Sequence, residues 1–196
     1  MDTYVYELNN SLYFNITNRC SNDCTFCLRN YGPGVGGHNL RLSREPSAEE
    51  VIAILENKDL SVYDEAVFCG YGEPTYRLDI ILKAAAGLKS KGIKTRLDTN
   101  GHGNYINGRD ITLALSKVID KVSISLNSPT EEGYNAFCRP LIPDAYAEML
   151  RFASACAARR LDTQLSVVDI LPPEEITACY AIAEKLGVKL RVREFI

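Results

Sequence analysis

Apolar stretches with strand character recur near residues 12–17, 65–69, 94–99, 121–126, 162–169 and 189–195, and most gaps between them carry apolar residues at helical spacing. One stripe, Leu78, Ile81, Leu82, Ala85 and Leu88, stops at Gly92. A second runs through Tyr146, Met149, Leu150, Ala153, Cys156 and Ala157, and a third, Ile176, Cys179, Ala183 and Leu186, stops at Gly187. Ahead of them Ser47 and Glu50 have capping-box spacing before Val51, Ile52 and Leu55. A strand–helix repeat implies a parallel sheet, and right-handed crossovers wind such a sheet into a curved layer with helices outside. The expectation is an α/β protein, an open partial (βα)6 barrel of parallel strands forming a single domain over residues 1–196. A closed barrel needs eight strands and roughly 250 residues. Tyr4–Leu8, Asn9-Asn10 and Leu12–Thr17 read as a hairpin that adds a short N-terminal antiparallel edge strand.

The strands also predict what the barrel encloses. In 121–126, Val122, Ile124 and Leu126 alternate with Ser123 and Ser125, and Asn127 continues the polar row. With helices covering the apolar face, that row points into the lumen. Asn15 and Thr17 do the same in the first strand, and Arg96, Asp98, Arg191 and Arg193 lie opposite aliphatics in the third and sixth. A purely structural lumen is filled with branched aliphatics, so a polar one reads as a ligand cavity.

Composition narrows the class of function. The net charge of −3 comes from 22 basic and 25 acidic residues mixed along the chain, which leaves nucleic acid unsupported as a partner. The start, MDTYVYELNN, lacks the pattern of a signal peptide, and no apolar run is long enough to span a membrane, so a cytoplasmic location is expected. Of the 7 cysteines, Cys20, Cys24 and Cys27 crowd one short segment. An odd number so distributed argues for a metal site in a reducing compartment rather than a disulfide framework.

Those cysteines carry the chemistry. In NITNRCSNDCTFCLRN, Cys20, Cys24 and Cys27 have three and then two residues between them, directly after the first strand. Thiolates so close can take three irons of a cluster and leave the fourth open. The alternative is a structural zinc site completed by His38, an interaction module rather than an enzyme. The second strand runs into Gly70-Tyr71-Gly72-Glu73-Pro74, the third ends in Asp98-Thr99-Asn100-Gly101, and the fourth carries Ser123, Ser125 and Asn127. Cys138, in FCRP, lies outside any apolar stripe and is a candidate substrate-side thiol able to donate a hydrogen atom. His38 and His102, in Gly-rich loops, are candidates to touch substrate, and the long stretch 32–46 reads as a lid or specificity loop. Cys156 and Cys179, on helical stripes, read as small core residues, and Cys69 at a strand end reads similarly.

The cysteine spacing, with Phe26 just before the third cysteine, resembles the signature of the radical S-adenosylmethionine superfamily. The resemblance implies a [4Fe-4S] cluster on Cys20, Cys24 and Cys27, with S-adenosyl-L-methionine on its open iron. Reductive cleavage of that cofactor gives a 5′-deoxyadenosyl radical that abstracts hydrogen from a substrate. It also implies that Phe26 lies against the adenine, and that Gly70, Tyr71, Gly72, Glu73 and Pro74 correspond to the family's GGEP turn, with Glu73 accepting from the cofactor's ammonium. Asp98, Thr99 and Asn100 would hold its carboxylate and ribose, and Ser123, Ser125 and Asn127 further ribose contacts. The segments NSLYFNITNRCSNDCTFCLRN, GVGGHNL with REP, LDTNGHGN and YNAFCRP resemble the small radical S-adenosylmethionine proteins associated with TatD-family hydrolases. A small-molecule substrate, an electron donor such as flavodoxin or ferredoxin, and a functional link to a TatD-family hydrolase are what this implies. Activation of a glycyl-radical protein is the alternative within the same chemistry.

Overall fold

The computed structural model describes residues 2–195. The chain begins with β1 (Val5–Leu8) and β2 (Ser11–Asn15), followed by a short antiparallel ribbon, β3 (Gly34–Val35) and β4 (His38–Asn39). Then come α1 (Ala48–Glu56), β5 (Glu65–Cys69), α2 (Leu78–Ser90), β6 (Lys94–Thr99), α3 (Gly103–Ile106), α4 (Thr112–Val118) and β7 (Lys121–Ser125). The remainder is α5 (Glu131–Cys138), α6 (Ala145–Ala158), β8 (Asp162–Val168), α7 (Pro173–Lys185) and β9 (Lys189–Arg193). The main sheet has the order β1-β2-β5-β6-β7-β8-β9, parallel from β2 to β9, with β1 antiparallel at its edge as the hairpin reading expected.

The alternation expected from the sequence is realised. Leu12, Phe14, Ala66, Phe68, Leu97, Val122, Ile124, Leu165 and Val167 are buried on the helix-facing side, among Val51, Ile81, Ala85, Leu88, Met149 and Phe152. Phe14 and Phe68, opposite each other in the β2–β5 register, stack with centroids 4.5 Å apart. Burying each such side chain contributes roughly 1.5–3 kcal/mol, which holds the strands in the one register that leaves their polar residues on the lumen side. The Ser47–Glu50 capping box starts α1, and Gly92 and Gly187 take positive φ where the stripes of α2 and α7 stop.

Two expectations are corrected. Cys138 is not in an open connection: it is the last residue of α5 and wholly buried, because α5 packs its Tyr134 and Cys138 face beneath the cysteine loop. Stretch 32–46 is fastened down. Its Leu40 and Leu42 are buried, Asn15 Nδ2 donates to Leu40 O at 2.8 Å, Asn18 Nδ2 donates to Leu42 O at 2.7 Å, and Glu45 takes Arg19 Nε at 2.7 Å. Among the described residues no helix is long and apolar enough to cross a membrane.

Candidate functional site

Cys20, Cys24 and Cys27 are free, half-buried thiols on the loop that leaves β2. The loop is held by backbone bonds to the end of α5 and the chain after it: Asp23 N to Cys138 O (3.1 Å), Thr25 N to Phe137 O (2.9 Å) and Leu141 N to Ser21 O (2.9 Å). Arg139, left-handed with φ 43°, turns the chain so that these groups face the loop. Two donors are aimed at the sulfurs. Arg29 Nε lies 3.3 Å from Cys27 Sγ, and Asn100 Nδ2 lies 3.9 Å from Cys20 Sγ.

Burial, reinforced by the nearby Glu73 charge, pushes the Cys20 thiol up to about 12. A hydrogen bond shared with Cys138, together with burial, raises Cys24 as well, so metal loading must expel these protons. Among the described residues no three His, Cys, Asp or Glu side chains converge tightly enough for a single ion. The donors at the sulfurs suit cluster thiolates. The thiols and their donors fit a cluster, and the zinc alternative lacks its expected fourth ligand. His38 is turned away, its ring 5.2 Å from that of Tyr6 and its Nε2 3.2 Å from Glu7 O.

Beneath the loop runs a buried polar chain that the sequence did not disclose. Asn100 Nδ2 donates to Ser21 Oγ (2.8 Å), and Ser21 Oγ lies 2.9 Å from His102 Nδ1. His102 Nε2 lies 3.1 Å from both Ala145 O and Tyr134 OH, and Asn22 Nδ2 donates to Tyr134 OH at 3.2 Å. Ser21 and Asn22, between the first two cysteines, therefore anchor the loop to the protein interior. His102 is fully buried rather than an exposed loop residue, and desolvation lowers it to about 4, so it is neutral.

The turn after β5 is built by close backbone approach. A Cβ on Gly72 would sit 2.4 Å from Arg19 O and 2.7 Å from Thr17 O, so only glycine fits where this turn lies against the start of the cysteine loop. Glu73 N donates to Arg19 O at 2.8 Å, Tyr71 N donates to Asn15 Oδ1 at 3.0 Å, and Pro74 starts a short 3-10 helix.

Glu73 itself departs from expectation. Its carboxylate is buried, Oε1 accepting from Thr75 N (3.1 Å), Thr75 Oγ1 (2.6 Å) and Thr99 Oγ1 (2.7 Å), and Oε2 from Asn100 N (2.7 Å). Burial raises its pKa against these bonds. A carboxylate so engaged ties the ends of β5 and β6 together instead of standing open to an ammonium.

The other expected residues divide in the same way. Thr99 is taken up by Glu73, and Asn100 backs Cys20 and Ser21. Asp98 lies deeper, beside Arg96 at 3.4 Å, where burial raises its pKa. Ser123 accepts from Gln164 Nε2 at 3.0 Å, and Ser125 is half-buried on the same lumen row. Asn127, left-handed with φ 56°, donates from Nδ2 to Cys138 Sγ at 3.5 Å and leaves its buried Oδ1 without a partner. Phe26 packs against the core edge. Cys69 faces the lumen near Asp98, and burial pushes its thiol up to about 12.

The profile of the Radical SAM superfamily matches residues 14–180. The chain belongs to that superfamily. Its members are enzymes that use a [4Fe-4S] cluster and S-adenosylmethionine, and these are the cofactors of this chain.

A Methanocaldococcus jannaschii protein whose name assigns it to glycyl-radical enzyme activation is 26% identical over 140 residues, covering 70% of this chain and 52% of its own length. The chain thus spans about half the length of the curated relative it matches. Among solved structures, Streptococcus suis SuiB bound to its precursor peptide SuiA superposes with TM-score 0.72 at 17% identity, over 98% of this chain and 40% of SuiB. The protein anSMEcpe with bound AdoMet superposes with TM-score 0.64 at 19% identity, over 94% of this chain and 50% of its own. Methylornithine synthase (PylB) gives 0.65 at 11%, over 95% and 53%. These likenesses bear out the partial-barrel fold.

Proposed function

We propose that Cys20, Cys24 and Cys27 hold the cluster and that the chain uses the bound cofactor to abstract hydrogen from a substrate seated in the barrel lumen. The observation that carries this reading is the set of free thiols held over a lumen lined by Asp98, Ser123, Ser125 and Gln164. When bound, the cluster and S-adenosylmethionine together supply a 5′-deoxyadenosyl radical. The chain's part is to present the thiols, which the Ser21–His102–Tyr134 chain and the α5 backbone bonds fix in place. The backbone of Gly70, Tyr71 and Gly72 then offers acceptors to the cofactor's ammonium, and the open lumen row of Ser125 offers a hydroxyl to its ribose.

A small molecule is the favoured substrate class, in keeping with a lumen lined by short polar side chains. Activation of a glycyl-radical protein is a second reading, favoured by the Methanocaldococcus relative. The segments spanning residues 11–140 support a finer placement among the TatD-associated proteins, with a hydrolase of that family as functional partner, flavodoxin or ferredoxin as electron donor, and a cytoplasmic site of action. Anaerobic reconstitution tests the core of the reading. About four irons per chain are expected, with formation of 5′-deoxyadenosine after addition of S-adenosylmethionine and dithionite. A colourless protein with stoichiometric zinc, or an iron-loaded one that leaves S-adenosylmethionine intact, would refute it.

A further inference from the structure

The lumen holds a charged cluster that the cysteine loop and the strand-end turns do not use. Arg96 Nη2 lies 3.2 Å from Glu65 Oε1, and Arg96 Nε lies 3.4 Å from Asp98 Oδ1, so Arg96 has a carboxylate on each side. Arg193, at the end of β9, has none: no ion pair joins it to an acid among the described residues. Its guanidinium is nonetheless drawn in from the open side of the barrel, within electrostatic reach of Asp98, Cys69 and Cys24. Arg96 Nε and Asp98 Oδ1 face each other as an ion pair without hydrogen-bond geometry, whereas Arg193 Nε is buried with no polar partner among the described residues. Native proteins leave few buried polar atoms unsatisfied, and a guanidinium N–H left open on a polar lumen marks a place where a polar ligand completes the bonding.

Charge says which ligand. Arg96, Arg191 and Arg193 share this face with Asp98 and Glu65, so once Arg96 is paired the excess is cationic and concentrated at Arg193, with exposed Arg191 behind it on the same strand. A half-buried guanidinium with a free N–H is suited to a planar or tetrahedral oxyanion, which it binds through two parallel hydrogen bonds.

We infer that Arg193 is a substrate-recognition residue that receives a carboxylate or phosphate group of the substrate, on the lumen face of β9. This rests on the radical reading above only for the word substrate; the anion site stands on the residues themselves.

The test uses the iron-loaded chain under anaerobic conditions, saturated with S-adenosylmethionine, at ionic strength held constant with chloride. The thermal unfolding midpoint is followed against inorganic phosphate and, separately, succinate. A saturable rise is expected with at least one of them, and which one responds distinguishes the phosphate from the carboxylate source. Arg193→Gln should weaken the apparent affinity by about tenfold or more. Arg193→Lys, which keeps the charge but not the fork, should fall between, and it decides the matter if the Gln variant does not fold. Arg151→Gln, on an exposed helix face, should respond as the parent does.

No saturable rise with either anion, or equal rises in parent and both Arg193 variants, would overturn the inference. So would a loss confined to S-adenosylmethionine binding, which would assign Arg193 to the cofactor's own carboxylate. Background 5′-deoxyadenosine formation, measured in the same samples, reports on the radical reading separately: its absence with the anion response intact would refute that reading and leave this site standing.

Discussion

The hydroxyl of Ser21 donates to Nδ1 of His102 across 2.9 Å, although the two residues are 81 positions apart. The direction follows from the other ring nitrogen. His102 Nε2 faces the carbonyl of Ala145, which can only accept, so Nε2 carries the proton and Nδ1 must accept. A neutral imidazole thereby fixes the residue that follows Cys20, and the loop's thiols inherit that position.

This buried His gives the metal-free protein a pH signature. Its folded pKa, lowered by desolvation to about 4, lies below the ordinary value of 6.5, so between those limits the unfolded chain binds the proton first. Stability is therefore lost as pH falls from 6.5 towards 4, by up to about 3 kcal/mol. Urea midpoints measured across this range should fall less steeply in His102→Gln than in the parent. Parallel curves would mean that His102 titrates freely.

Glu73→Ala should destabilise the metal-free protein by about 2–5 kcal/mol, since Thr75 N and Asn100 N would be left as buried donors without an acceptor. Weaker S-adenosylmethionine binding should accompany this, through displacement of the strand ends. Chemical denaturation of the iron-free variant separates the two roles. An unchanged midpoint with weakened cofactor binding would show that Glu73 contacts the cofactor directly and ties nothing together.

Gly72→Ala places a methyl 2.4 Å from the carbonyl oxygen of Arg19, a backbone atom that cannot rotate away. The expected cost is about 1–3 kcal/mol or more, together with reduced iron incorporation, because the cysteine loop is what must move. Gly87→Ala, where an added Cβ meets nothing within 4 Å, is the matched control. Equal iron content and stability in the two variants would show that the turn and loop are not rigidly packed.

Replacing Cys20, Cys24 or Cys27 singly with Ala should abolish the cluster and 5′-deoxyadenosine formation while leaving the metal-free fold intact, since none of the three is fully buried. Cys138→Ala should keep the cluster, because that thiol sits beneath the loop, bonded to Asn127. Iron analysis and electron paramagnetic resonance of the reduced proteins give the answer. A full cluster in Cys24→Ala would show that another residue, with Cys138 the nearest thiol, serves as the third ligand.

The sequence by itself determined the strand–helix repeat, the polar lumen row and the cysteine loop. Hydrophobic period and ligand spacing are local properties, and burial of the apolar face leaves one register for each strand. Only the tertiary structure decided where individual polar side chains are used. Glu73 looked free to meet an ammonium and is consumed by Asn100, 27 positions on; His102 and Cys138 looked like open loop residues and lie buried under the cluster loop. Asn22 and Tyr134, 112 positions apart, share a hydrogen bond that no local pattern announces. A buried polar atom must find a partner, and which partner it finds depends on how strands distant in sequence are laid side by side.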